Sequence, residues 1–183
     1  MARRTFLLVD GENIDATLGF TILKHTPRPA ERPRWERVLE FAAGLWNQEA
    51  TGLFFLNIKN GTLPGPFVSA LQEIGFRPVP LTGPPTQKVV DEGIVRTLAA
   101  LRGREADVLL ASHDRDFVDA VRELLDEEHR VALLGFTELM SGAWADLDVE
   151  VHDLERDAHA FNEPLPRVRI IPLDEFRPED FLY

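Results

Sequence analysis

Two acidic runs stand where strands would end. Asp10-Gly11-Glu12-Asn13 follows the apolar run Thr5 to Val9, and Asp114-Arg115-Asp116 follows the run Asp107 to Ser112 after His113. A further acid, Asp91, falls one turn into a helix beginning near Thr86, with Lys88 three residues earlier on the same face. Carboxylates crowded within a few ångströms repel one another, and some take up protons unless a cation is present. Mg²⁺ or Mn²⁺ suits them, as hard ions that prefer oxygen ligands and are often shared with a phosphate. A metal so held activates water, orients a phosphodiester and stabilises charge on the leaving oxygen, which suits phosphodiester hydrolysis. Each acid also has a plain structural role open to it. Asp10-Gly11 is an ordinary strand-ending turn, Asp116 a helix cap or first-turn acid, and Asp91 one carboxylate of a solvated face.

The chemistry requires elements that bring positions 10, 91, 114 and 116 together. Thr5 to Val9 reads as a buried strand. Residues 13 to 25 carry a loose helical stripe, Ile14, Leu18, Ile22 and Leu23, before Pro27, Pro29 and Pro33 enforce a loop. Trp35, Val38, Leu39, Ala42, Leu45 and Trp46 predict an amphipathic helix over 34 to 50. Gly52 to Ile58 is apolar enough for a strand covered on both faces, and Phe67, Leu71 and Ile74 mark a helix ending at Gly75. Pro78 and Pro80 place the strand Phe76 to Leu81 at a sheet edge. Val90, Ile94, Leu98 and Leu101 give the next helix. After the strand Asp107 to Ser112 come a helix with Phe117, Val121, Leu124 and Leu125 on one face, and a strand from Arg130 to Gly135. A short helix over Thr137 to Trp144 follows, and Leu147 to His152 is a candidate sixth strand, so a five- or six-stranded sheet is expected.

This alternation predicts an α/β fold with a mostly parallel sheet and helices on both faces. Ligands of such sheets bind beyond the carboxyl ends of strands, where the strand order reverses. If the first and fourth strands are neighbours there, the acids share one crevice. The domain is expected over 1–158. From 159 to 183 the chain reads as an extended arm: Pro164, Pro166, Pro172 and Pro178 forbid a helix. Ile170, Ile171, Leu173, Phe176, Phe181, Leu182 and Tyr183 are too apolar for a solvated tail. The arm is expected to pack on its own domain or on a second subunit, which makes a homodimer one outcome.

The 183 residues carry 20 Lys and Arg against 31 Asp and Glu, a net charge of −11. The absence of Cys excludes a disulfide scaffold, thiolate metal sites and a cysteine nucleophile. No glycine pattern suits a dinucleotide or a P-loop, and no serine elbow is visible. With only four apolar positions before Asp10, no signal or membrane segment is expected, and the cytoplasm is the expected location. The acidic balance argues against a tight nucleic-acid grip and points to a basic partner protein, although a cation site recruits phosphate locally even on an acidic surface.

Leu8-Val9-Asp10-Gly11-Glu12-Asn13, Lys88-Val89-Val90-Asp91 and Leu110-Ala111-Ser112-His113-Asp114-Arg115-Asp116-Phe117 resemble, in order and spacing, the three motifs of NYN domains. These are a branch of the PIN-like nuclease superfamily, and the resemblance covers roughly 5 to 152. It implies a PIN-like, Rossmann-like three-layer fold with strand order 3-2-1-4-5 and a metal-dependent ribonuclease activity. The family's metal-site acids fall on Asp10, Asp91, Asp114 and Asp116, and its motif asparagine on Asn13. The chain departs from the pattern at His113, where the family usually has Gly, and at Thr97, where many members carry another Asp.

For such an enzyme, Asn13 and Lys88 are expected to position the phosphodiester, and Arg115 to stabilise charge beside the metal. Arg28, Arg32, Arg34 and Arg37 are candidate RNA contacts; pairing with Glu31, Glu36 and Glu40 is the level alternative. The rival to the enzyme is a non-catalytic RNA- or protein-binding regulatory module with a degenerate site. A Toprim-like domain, in which Glu12 is the key acid and Asp91 dispensable, is a second enzymatic alternative.

Overall fold

Six runs become strands in the computed structural model, which describes residues 2–182. They are β1 (Arg4–Asp10), β2 (Ala50–Asn57), β3 (Phe76–Leu81), β4 (Ala106–Ala111), β5 (Val131–Gly135) and β6 (Glu150–Asp153). All pair in parallel, in the order β3-β2-β1-β4-β5-β6. The helices are α1 (Gly11–Ala16), α2 (Trp35–Leu45), α3 (Gly65–Glu73), α4 (Val89–Leu101) and α5 (Val118–Asp126). The chain crosses from β1 to β2 on one side and reaches β4 on the other, so β1 and β4 flank the switch point as the motifs require.

Alternation along β1 decides which way its residues face. Leu7 and Val9 pack with Ile14, Leu18, Trp35 and Val38, on the side of α1 and α2. Leu8 packs with Val90, Ile94, Leu98 and Val121, on the side of α4 and α5. Asp10 shares the parity of Leu8 and therefore emerges beneath α4. The strand ends carry their side chains into this crevice because both layers are apolar up to that point.

Local differences from the sequence expectations have local causes. α1 continues as a wider π-helical segment over Thr17–Leu23, which stops where Lys24 turns left-handed at φ 64°. The helix expected over 34 to 50 ends at Leu45, because Asn47 adopts φ 51° and frees Ala50 to begin β2. The helix expected over 137 to 144 is two 3₁₀ turns, Thr137–Leu139 and Gly142–Trp144, parted by extended Met140 and Ser141. α4 starts at Val89, so Asp91 lies in its first turn.

Past β6 the chain returns over the α2 side. The Arg34 N–H donates to the Ala160 carbonyl at 2.6 Å, and Ala160 is fully buried. At Pro166 the chain makes a tight turn, the Arg167 N–H donating to the Leu165 carbonyl at 2.8 Å, and from Leu165 to Ile171 partly buried and exposed residues alternate. From Val168 on the apolar arm is mostly solvated: Ile170, Leu173, Phe176, Phe181 and Leu182 are exposed and only Ile171 is partly buried, whereas the Arg167 side chain between Pro166 and exposed Val168 turns inward. Tyr183 lies outside the described residues. Among the described residues, no helix is long and apolar enough to cross a membrane.

Candidate metal centre

The register that sets Val9 beside Ala111 sets Asp10 beside Ser112 one step on. The Ser112 hydroxyl donates to Asp10 Oδ2 at 2.9 Å and accepts the Asp114 backbone N–H at 3.1 Å. Asp114 in turn accepts the Asp116 N–H at 2.9 Å, which caps the 3₁₀ turn Arg115–Phe117 and holds both carboxylates at the strand end. Buried Val89, Val90 and Ile94 fix α4 over the sheet and bring Asp91 to the same place from above.

Asp91, Asp114 and Asp116 each offer one carboxylate oxygen within 4.8 Å of the others. Asp10 stands outside this trio, buried behind it. Burial pushes its carboxyl up to about 6, helped by the charges of Asp91 and Asp114 and opposed by the Ser112 hydrogen bond. Asp91 is also raised, by burial first and by Asp114 next. Crowding of this kind is relieved by a cation. Lys88 Nζ already approaches, 3.3 Å from Asp116 and 3.8 Å from Asp91, and the Asp116 hydrogen bond raises its pKa. The all-oxygen donor set and its spacing fit a hard divalent ion. A cleft of about 680 Å³ opens beside the trio, lined by Thr86, Lys88, Asp91, Val95, Arg96 and Asp116.

Asn13 belongs to the same end of the sheet. Its Oδ1 accepts the His113 backbone N–H at 2.8 Å and lies 3.2 Å from His113 Nδ1, tying the start of α1 to the turn before Asp114. His113 points to the opposite face from Ser112, stacks on Phe136 with an interplanar angle of 8°, and accepts the Phe136 N–H on Nε2 at 2.8 Å. Gly135 leaves it room, since a Cβ there would lie 2.6 Å from Nε2. Burial holds the His113 pKa down at about 4. The ring is therefore neutral near pH 7, with its proton on Nδ1, facing Asn13. Thr97 donates to the Gly93 carbonyl at 2.7 Å within its own helix and brings no carboxylate to the site.

The arginines divide. Arg34 donates to the carbonyls of Pro29 and Ala30, and Arg37 to those of His159 and Phe161 and to Asn162 Oδ1. Arg32 pairs with Asp15 on α1 at 2.8 Å. Arg28 reaches Glu31 only at 3.9 Å and is exposed, as is Arg115 beside the trio. Sequence reasoning singled out neither Ser112 nor Arg167. Ser112 was legible as the residue opposite Asp10 once β1 and β4 were paired, whereas Arg167 carried no local signal.

The model of the family described as the NYN domain matches residues 4–155. No curated protein matches the chain.

Proposed function

Because the chain belongs to the NYN domain family, a PIN-like nuclease family, we propose that it is a metal-dependent ribonuclease that hydrolyses RNA phosphodiester bonds beside Asp91, Asp114 and Asp116. The observation that carries this is the approach of those three carboxylates to within 4.8 Å at the switch point of the sheet. They are the residues that would hold Mg²⁺ or Mn²⁺, with Asp10 adding charge behind them. The ion, when bound, supplies Lewis-acid stabilisation of the phosphate and a nucleophile at neutral pH. Lys88, exposed at the rim, is placed to donate to a phosphate oxygen once a cation takes over its carboxylate partners. Arg115 and Arg28 are the exposed arginines best placed to meet the RNA backbone, and Arg32 becomes available if Asp15 releases it. The RNA enters along the cleft beside α4. The expected compartment is the cytoplasm.

In the test, purified protein and single-stranded and structured RNAs are incubated with Mn²⁺, with Mg²⁺ and with EDTA. Cleavage is expected with either metal, stopped by EDTA and restored by excess Mn²⁺. Cleavage that persists in EDTA overturns the proposal. Thr97 favours the second reading, a regulatory RNA- or protein-binding module, because it leaves the acid set one carboxylate short. That reading predicts no Mn²⁺ heat in calorimetry at millimolar metal.

Assembly through the arm belongs to the same proposal. Val168 and Ile170 present an outward apolar face on an extended segment, with Leu173 and Leu182 exposed beyond it. A homodimer is expected by light scattering. Ile170→Asp is expected to shift it to monomer, lowering apparent thermal stability only by the lost dimer linkage, while the single chain's own unfolding free energy changes by no more than about 0.5 kcal/mol because the side chain is solvated there.

A further inference from the structure

The matched domain ends at residue 155, but the site's supports continue past it. The Arg167 side chain is only 5% exposed and binds three carboxylates. Its NH1 and NH2 donate to Asp153 at 2.8 and 2.6 Å, its NH1 to Glu155 at 3.1 Å, and its Nε and NH2 to Glu138. Its guanidinium carbon lies 5.1 Å from the centre of the Phe136 ring. Phe136 is fully buried, and it is the residue on which His113 stacks and to which His113 Nε2 is hydrogen bonded.

We propose that Arg167 is a positioning residue for the metal centre, acting through Phe136 and His113 on Asn13 and on the turn that carries Asp114. Each link is a direct contact. The guanidinium and its acids fix the segment Phe136 to Glu138 against β6. Phe136 then fixes His113 by a stack and a hydrogen bond from opposite chemical groups, ring and backbone. Because Nε2 is occupied as an acceptor, the ring proton stays on Nδ1 and meets Asn13 Oδ1. Two donors from residue 113 on one amide oxygen define which end of the Asn13 amide is left to act elsewhere, its NH₂. The arm is therefore part of the catalytic unit, and a chain cut at the family boundary lacks its clamp.

The proposal rests on the nuclease reading for its consequence but not for its geometry, so the test has two arms on the full chain. Arg167→Lys keeps the charge and loses the planar fork. Phe136→Leu keeps the backbone donor and loses the stack, and it serves if the arginine variant does not fold. The first arm is nitrogen NMR of the His113 ring and the Asn13 side-chain amide at pH 7.5. Both variants are expected to shift these resonances while leaving the backbone amide of Asp107, at the far end of β4, in place. The second arm is Mn²⁺-dependent cleavage, in which kcat is expected to fall about 10–100-fold with KM and Mn²⁺ affinity within about 3-fold. Lower thermal stability with unmoved Asn13 and His113 resonances overturns the proposal. So does an unchanged kcat in a chain that cleaves. If the unmodified chain cleaves no RNA, the nuclease reading fails and the resonances alone decide the positioning role.

Discussion

Asp10→Asn is expected to lower Mn²⁺-dependent RNA cleavage by about 10²–10³-fold and, at the same time, to make the metal-free protein more stable. The rate loss follows from removing one charge behind the trio, where stabilisation of the phosphate is worth several kcal/mol. The stability gain follows from burial. Asp10 is 3% exposed, and its carboxyl is raised from 3.8 to about 6, by burial above all. The folded chain binds the proton more tightly than the unfolded chain, so ionised Asp10 destabilises the fold above pH 6, by about 1–3 kcal/mol. That penalty fades as pH falls from about 6 through 3.8, where both states are protonated. Asn keeps an oxygen for the Ser112 hydroxyl and offers an NH₂ to the neighbouring carboxylates. Thermal unfolding without metal is therefore expected to show the variant several degrees more stable at pH 8 and little different near pH 4. Mn²⁺ is expected to raise the melting temperature of the unmodified chain more than that of the variant. A variant less stable at pH 8 removes Asp10 from the list of functionally strained groups.

The meeting of Asp91, Asp114 and Asp116 at one end of the sheet, with Asp10 buried behind them, was legible because acids stand at strand ends and at a helix start in an alternating α/β chain. The order of five strands followed from the resemblance to the family, and the sixth strand, which the larger of the two expected sheet sizes includes, joins at the β5 edge. Pro78 and Pro80 foretold an edge because a proline cannot donate to a second neighbour. His113 shows where reading the sequence ran out. Read in its motif it is a departure from glycine in the turn before Asp114. In the fold it is a buried neutral ring whose room is made by Gly135 and whose partners are Asn13 and Phe136, residues 100 and 23 positions away. The arginines meet the same limit. Arg34 and Arg37 sit in a cluster that reads equally as RNA contacts or as partners of Glu31, Glu36 and Glu40, and their donors go to backbone carbonyls and an amide in 29–30 and 159–162. The apolar residues of the arm from Ile170 on promised burial, yet among the described ones only Ile171 is partly buried, and Ile170, Leu173, Phe176, Phe181 and Leu182 face solvent. Long-range pairing of single side chains has no periodicity, so composition and spacing do not contain it.

The stability of the sheet at its opposite end depends on one buried acid, and Asp107→Ala is expected to cost about 2–4 kcal/mol. Asp107 opens β4 behind the start of β1 and is fully buried. It accepts from Arg3 at 2.9 Å and from Gln48 at 2.9 Å, and from the Arg130 backbone N–H at 2.8 Å and its guanidinium at 2.7 Å. These donors come from the head of β1, the turn before β2 and the head of β5, so one carboxylate joins the ends of four strands. Burial alone would raise its pKa. The hydrogen bonds from Arg130, Gln48 and Arg3 outweigh burial and hold it at about 2. With the unfolded value at 3.8, the carboxylate contributes about 2 kcal/mol that is fully present above pH 4 and is lost as pH falls through 2. His113 adds an earlier loss. Its folded pKa of about 4 lies below the ordinary 6.5, so stability falls as pH drops from 6.5 to 4 and the unfolded chain takes up the proton first. Asp10 works against His113 over nearly the same range. The steep part of acid unfolding is therefore expected below pH 4, where Asp107 titrates without an opposing group. Denaturant unfolding at pH 7, 5, 4 and 3 checks this, and in Asp107→Asn the slope between pH 4 and pH 3 is expected to flatten. A slope unchanged by that substitution assigns the acid sensitivity to the Asp153 and Arg167 cluster instead.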